Sequence, residues 1–287
     1  MVVSNYFYES ATVTHADYMG IDGLTRDKRM NPQFIKRQKS KLKSIDCSGS
    51  IGVLYCLGTA MHQSETSNVR GIDYTKFTNT VLPDSSMAIQ ASGAYMMNKY
   101  IGQLADPSKV QYASMNANTC ASSMYALYEA ERLLERVDTV VVIADERTSA
   151  DTIRIFHEQQ IPLTPSDGFA CMVLTNDGTG PTITNTKWEY VYNRNPFYSD
   201  SIGYDRVAQD ADSIKPHDTG TEQNTEAEAR LLEGKKVHSY KSKIGHSQGT
   251  STLLETCILL DDESASGKIL CTASGLGGFY GSCIVHK

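Results

Sequence analysis

Two stretches of this chain read as versions of one another, and that duplication limits the fold more than any other feature. "KVQYASMNANTCASSMYALYEAERLL" begins at Lys109 and "KVHSYKSKIGHSQGTSTLLETCILL" begins at Lys236. Each has a short extended run, a polar loop, one reactive residue and then a helix, with Cys120 and His246 in matching places. A duplicated unit of this kind predicts two related halves whose helix starts face each other. Residues 176–181, "NDGTGP", carry the densest turn signal and set the expected boundary, giving units 1–176 and 177–287.

The local patterns agree with an α/β chain. After Cys120, apolar residues fall at Met124, Leu127, Ala130, Leu134 and Val137, the spacing of an amphipathic helix. "TVVVIAD" (139–145) then reads as a fully buried strand and "ACMVLT" (170–175) as another. The second helix places Leu253, Leu254, Cys257 and Ile258 at helical spacing, and "KILCTAS" and "FYGSCIVH" predict a final strand pair around the "GLGG" turn.

Composition narrows the function classes. A chain of 287 residues that is 40% hydrophobic can bury a large core. No apolar run approaches the ~18–20 residues of a membrane span, and "MVVSNYFYES" lacks the regions of a signal peptide, so a cytoplasmic protein without a membrane partner is expected. Seven scattered cysteines, with no C-x-x-C pair, predict reduced thiols and no metal site. The net charge of -6 is uneven: residues 26–44 hold eight Lys or Arg against one Asp, a local +7 that leaves -13 on the rest. With Phe34 the sole aromatic among them, nucleic acid is not the expected partner. An acidic protein is a better match, and a solvated helix face is the plain alternative.

Cys120 stands directly before the first helix, where unsatisfied N–H groups and the positive end of the macrodipole favour thiolate. This placement predicts a nucleophile with a lowered pKa. Two histidine motifs keep it company, "KPHDTGTEQNTEAEA" around His217 and "KSKIGHSQGT" around His246. The other histidines and cysteines read as structural.

These motifs resemble, in order, those of the β-ketoacyl synthases of the thiolase superfamily. "NANTCASS" is similar to that family's nucleophile element, "HDTGT" to its first histidine motif, "KSKIGHSQGTST" to its second, "SGLGG" to its terminal glycine turn and "SDGFACMVL" to its "RDGF" strand entry. The resemblance is specific from about residue 110 onward, and the chain is shorter than the usual member. It implies a duplicated thiolase-like α/β fold in five layers, α-β-α-β-α, dimeric through an edge strand beside the nucleophile loop, as a homodimer or with another ketosynthase-like subunit. It implies carbon–carbon bond formation in fatty acid or polyketide-type biosynthesis, with acyl and malonyl thioesters delivered by an acyl carrier protein. No cofactor of its own is implied, since the phosphopantetheine arm belongs to the carrier.

The roles carried over by resemblance are as follows. Cys120 is the nucleophile, and His217 and His246 hold the malonyl thioester carbonyl and stabilise the enolate. Lys241 orients the loop or biases histidine protonation, and Glu228 matches the family's glutamate. The N–H groups of Cys120 and Leu276 form the oxyanion hole. Thr219 and Thr221, with Gly277 and Gly278, contact the substrate arm. An ordinary Lys241–Glu228 ion pair and turn-forming threonines are the alternatives. Asp218, Thr225 and Leu276 depart from the pattern, and Asp tolerates the left-handed backbone that a glycine there implies. Lys36, Arg37, Lys39, Lys41 and Lys43 are candidate carrier-docking contacts. Two other classes stay open: acyl transfer or hydrolysis without decarboxylation, and a non-catalytic subunit like a chain-length factor.

Overall fold

The buried strands of this chain divide their side chains between two apolar layers, as strands covered on both faces do. The computed structural model describes residues 1–10, 40–45, 47, 49–57, 93–94, 96–146, 162, 164–193 and 199–287. On strand β4 (Thr139–Glu146), Val140, Val142 and Ala144 join a central core, while Val141 and Ile143 face an outer one with Leu42, Met96 and Tyr100. Strand β5 (Gly168–Thr175) repeats this, with Ala170, Met172 and Leu174 inward and Phe169, Cys171 and Val173 outward.

Among the described residues, ten strands are hydrogen-bonded in the order β3-β2-β4-β5-β1-β6-β10-β9-β7-β8. The remaining strands are β1 (Val2–Ser10), β2 (Ile51–Cys56), β3 (Val110–Asn116), β6 (Thr182–Tyr190), β7 (Ser213–Lys215), β8 (Lys236–Val237), β9 (Lys268–Gly275) and β10 (Phe279–His286). Counted in chain order, the first five strands lie as 3-2-4-5-1, and the last five, read from β8 to β6, lie in the same order. The two sets meet at one pair, Val2 opposite Thr182.

Helix α1 (Ser122–Leu133) packs on β2 and β4 of the first set and on β6 and β10 of the second. Helix α5 (Ser251–Asp261) packs on β9 and also on β1 and β5. Both helices are therefore shared between the two strand sets. The outer faces carry residues 40–43 and 96–101 on one side, and α2 (Ser201–Val207) and α3 (Glu222–Leu232) on the other, where Tyr204, Val207, Ala227 and Leu231 cover Ile214, Leu270, Tyr280 and Ile284. The result is the mixed α/β, layered α-β-α-β-α arrangement that the resemblance implies. Because α5 is covered on nearly all sides, even its Ser251, Thr252, Glu255 and Thr256 are buried.

Strand β1 was not evident from its mixed composition. It anchors the central layer through Tyr6 and Tyr8, whose hydroxyls donate to the Asp261 carboxylate at 2.6 and 2.8 Å.

Met124 lies fully buried on α1 in the core common to both strand sets. Met124→Ala is expected to lower the unfolding free energy by about 2–5 kcal/mol in urea titration. A loss below about 1 kcal/mol would contradict a tightly packed shared layer.

Candidate active site

The site begins with backbone strain. Thr119 opens a single 3-10 turn, Thr119–Ala121, at φ 50°, a left-handed conformation that is costly for a β-branched residue. The turn runs directly into α1 and carries Cys120 on it. The second repeat has the same device: Gln248, at φ 42°, opens the turn Gln248–Thr250 that leads into α5. Aligned on these strained residues, the counterpart of Cys120 is Gly249, so the expectation that Cys120 and His246 match is corrected. His246 lies two residues ahead of its own turn, and from there it reaches across to Cys120.

The two helix starts do face each other. Buried Ser123 donates its hydroxyl hydrogen to the Gly249 carbonyl and accepts from Leu253 N–H at 3.2 Å. His246 Nε2 then lies 3.1 Å from Cys120 Sγ, and Ser251 Oγ lies 3.1 Å from His246 Nδ1. The His217 ring is 5.9 Å from that of His246, centroid to centroid, at 81°. The sulfur and both imidazoles therefore converge.

Electrostatics correct the expectation for the thiol. Burial pushes Cys120 up to about 12, outweighing the nearby Lys241 ammonium, which acts in the opposite direction. The helix-dipole argument that predicted a thiolate omitted this desolvation. Burial, reinforced by Lys241, also holds His217 and His246 well below the ordinary imidazole value, so both rings are neutral at pH 7. A protonated thiol beside a neutral imidazole donates S–H to Nε2, which leaves Nδ1–H to donate to Ser251 Oγ.

Lys241 and Glu228 are both buried but not paired with each other. Lys241, on the short helix α4 (Lys241–Ile244), donates to the His217 carbonyl and to Glu255 Oε1, the latter at 2.6 Å. Glu228 instead braces the His217 loop, accepting from His217 N–H at 2.7 Å and Asp218 N–H at 3.0 Å, and from the Asn224 and Thr272 side chains. The ordinary ion-pair alternative is thus replaced by two separate supports. Sequence reasoning missed Glu255 and Lys215, which bond to each other at 2.9 Å. An acid in the middle of an apolar helix and a lysine just before "PH" were the available signals.

Asp218 adopts φ 50°, as its tolerance for left-handed backbone allows. Thr221 is the N-cap of α3 and its hydroxyl lies 3.0 Å from that of Thr219. Gly277 and Gly278 have φ 94° and 91°, and a Cβ on Gly278 would meet the Val191 carbonyl at 2.0 Å. A Cβ on Gly275 would fall 2.6 Å from Asn118 O, which shows how closely this turn abuts the cysteine loop and brings the Leu276 backbone near it. The Leu276 side chain is 43% exposed. Lys41 and Lys43 are exposed, with Lys41 Nζ 5.5 Å from the Phe7 ring centroid, while Lys36, Arg37 and Lys39 lie outside the described residues.

Among the described residues, no group of His, Cys, Asp and Glu is placed to hold a metal, and no helix is long and apolar enough to cross a membrane.

No family model matches the chain, and no curated protein matches it. Solved structures do. The tetronic acid condensing enzyme AbyA1 is 12% identical, with TM-score 0.61 and full coverage of both chains. The noncanonical ketosynthase FabY of P. aeruginosa is 12% identical, with TM-score 0.62 over 87% of this chain and 53% of its own. The PfaC ketosynthase–chain length factor is 16% identical, with TM-score 0.63 over 97% of this chain and 36% of its own. This chain thus has a ketosynthase-like fold and spans about half the length of FabY and about a third of PfaC.

Two measurements check the electrostatics. Alkylation of Cys120 by iodoacetamide, followed by intact mass, is expected to be slow at pH 7 and to rise about tenfold per pH unit up to pH 10, whereas a plateau above pH 8 would reveal a thiolate. The depressed imidazoles carry a stability signature. An unfolded histidine takes up a proton below about 6.5 while the folded one does not, so stability should fall as pH drops through that value. His246→Gln should flatten that fall in denaturant titrations at pH 7 and 5.5, and an identical slope in the variant would contradict the assignment.

Proposed function

We propose that this chain is a condensing acyltransferase of the ketosynthase type, built as two fused halves, 1–176 and 177–287, with Cys120 as its acyl acceptor. The observation that carries the reading is the meeting of half-buried Cys120 with buried His246 and His217 in one site. A fold shared with a condensing enzyme and with ketosynthases supports it.

In the first half-reaction the Cys120 thiol attacks the carbonyl of an acyl thioester. Its proton passes to His246 Nε2 and on to the departing carrier thiol. Once the sulfur is acylated, Nε2 no longer accepts from S–H. Ser251 Oγ can then donate to Nδ1, which puts the ring hydrogen on Nε2 and makes that nitrogen the donor. In the second half-reaction a malonyl-type thioester enters and loses carbon dioxide. The electron pair of the broken C–C bond becomes an enolate, whose oxygen accepts N–H bonds from His217 and His246. The enolate carbon attacks the acyl-enzyme carbonyl, and the Cys120 thiolate leaves and takes up the one proton that the condensation consumes from solvent. The N–H groups of Cys120 and Leu276 receive the tetrahedral oxyanion, and Thr219, Thr221, Gly277 and Gly278 line the approach of the carrier's phosphopantetheine arm.

The partners in this reading are an acyl carrier protein and a second ketosynthase-like subunit. The ishigamide ketosynthase/chain length factor and the ApeO–ApeC pair from Xenorhabdus doucetiae are solved ketosynthase–partner assemblies of similar fold. Strand β3 lies at the end of the strand order and exposes Gln111, Tyr112 and Ala113, which suits it to pairing. The exposed Lys41 and Lys43 suit an acidic carrier.

Incubation with a hexanoyl carrier thioester should add one acyl mass to the wild type and none to Cys120→Ala. His217→Ala should still load but should release carbon dioxide from malonyl carrier about 10²–10³-fold more slowly. Loading without carbon dioxide release would favour simple acyl transfer, and no adduct on the wild type would leave only a partner-subunit role.

A further inference from the structure

Lys215 has no assigned part in the site described above, yet it is among the largest fully buried side chains of the described residues, 1% exposed. It ends the three-residue strand β7, two residues before His217, and Pro216 closes the strand. Its ammonium lies 2.9 Å from Glu255 Oε2, while Lys241 takes the other oxygen of the same carboxylate at 2.6 Å. Lys241 in turn grips the His217 carbonyl. A continuous chain of charge-assisted bonds thus runs from β7 through α5 and α4 to the histidine loop. An unpaired buried ammonium is expensive, so two lysines sharing one carboxylate need a compensating reason.

We propose that Lys215 is a positioning residue for the two imidazoles: by sharing Glu255 with Lys241 it fixes the ammonium that holds His217, and it adds a second buried positive charge behind both rings. The inference rests on the proposed function, because neutral N–H donors are what an enolate oxygen requires. The groups facing Lys215 support it. Glu255 on α5 is its ion partner, Glu228 on α3 and Cys271 on β9 are the other groups that favour its charged form, and His217 and His246 are disfavoured as cations by it. Burial is the largest single influence on Lys215 and would discharge it, but Glu255, Cys271 and Glu228 together outweigh it and hold the ammonium above the ordinary lysine value. Glu255 is held below the usual carboxylate range because both ammoniums outweigh its burial. Burial pushes the Glu228 carboxyl up, against the hydrogen bonds that it accepts from Asp218, His217 and Asn224.

The experiment follows the ring protonation of His217 and His246 by nitrogen-edited NMR between pH 4.5 and 8, in wild type, Lys215→Met and Lys215→Gln. Lys215→Gln keeps a donor toward Glu255 and serves if the methionine variant fails to fold. Removal of the charge is expected to raise both midpoints by at least about half a pH unit toward the ordinary value of about 6.5. The acid limb of malonyl carrier decarboxylation should move up by the same amount. Lys215→Arg, which retains the charge, should leave both where they are. Unchanged midpoints in a folded charge-removed variant would overturn the proposal. A wild type that never decarboxylates would count against the proposed function, while the ring titration would still decide the role of Lys215.

Discussion

The close approach of two helix starts is the constraint on which the site depends. A single buried hydroxyl, Ser123, bridges them by donating to Gly249 O and accepting from Leu253 N–H. With α1 and α5 fixed end to end, the strained turns at Thr119 and Gln248 are locked in contact, and Cys120 is delivered to within 3.1 Å of His246. Neither strained residue would hold its conformation in isolation, and the packed surroundings over-determine both. The equal strand order of the two five-strand sets explains why the starts can meet: each set aims its central helix into the same shared layer.

Around that contact the molecule places its charges in an order set by burial. The thiol is kept protonated and the imidazoles neutral, so the reacting groups themselves are uncharged at rest. The charges lie one layer back, where Glu255 balances two lysines and Glu228 accepts from two consecutive backbone N–H groups. A site of this kind reacts through hydrogen-bond donors positioned in advance rather than through a stored thiolate.

Much of this was legible in the sequence because local rules carried it. Met124, Leu127 and Ala130 are buried at the spacing read for α1, and the runs at 139–145 and 170–175 are strands covered on both faces. Cys120, His217 and His246 were found through motif order, and they converge. What was not legible depends on tertiary neighbours. Nothing along the chain tells Lys241 to choose Glu255, fourteen residues on, over Glu228, because helix α4 and helix α5 meet only in the fold. The dipole argument for Cys120 failed because it weighed the helix end without the burial that surrounds it. Strand β1 was missed because "VVSNYFYES" mixes polar and aromatic residues on a strand that is buried at Val2 and Val3, exposed at Ser4 and Asn5 and half-covered from Tyr6 on.

The most direct measurement is a crystal structure of the wild-type protein carrying a short acyl group. The account predicts a thioester on Cys120 alone, its carbonyl oxygen within about 3 Å of the Cys120 and Leu276 N–H groups, and both imidazole rings bordering the same cavity. An acyl group on another cysteine, or a His217 ring turned away from the thioester with the Lys241 bond to its carbonyl broken, would contradict it.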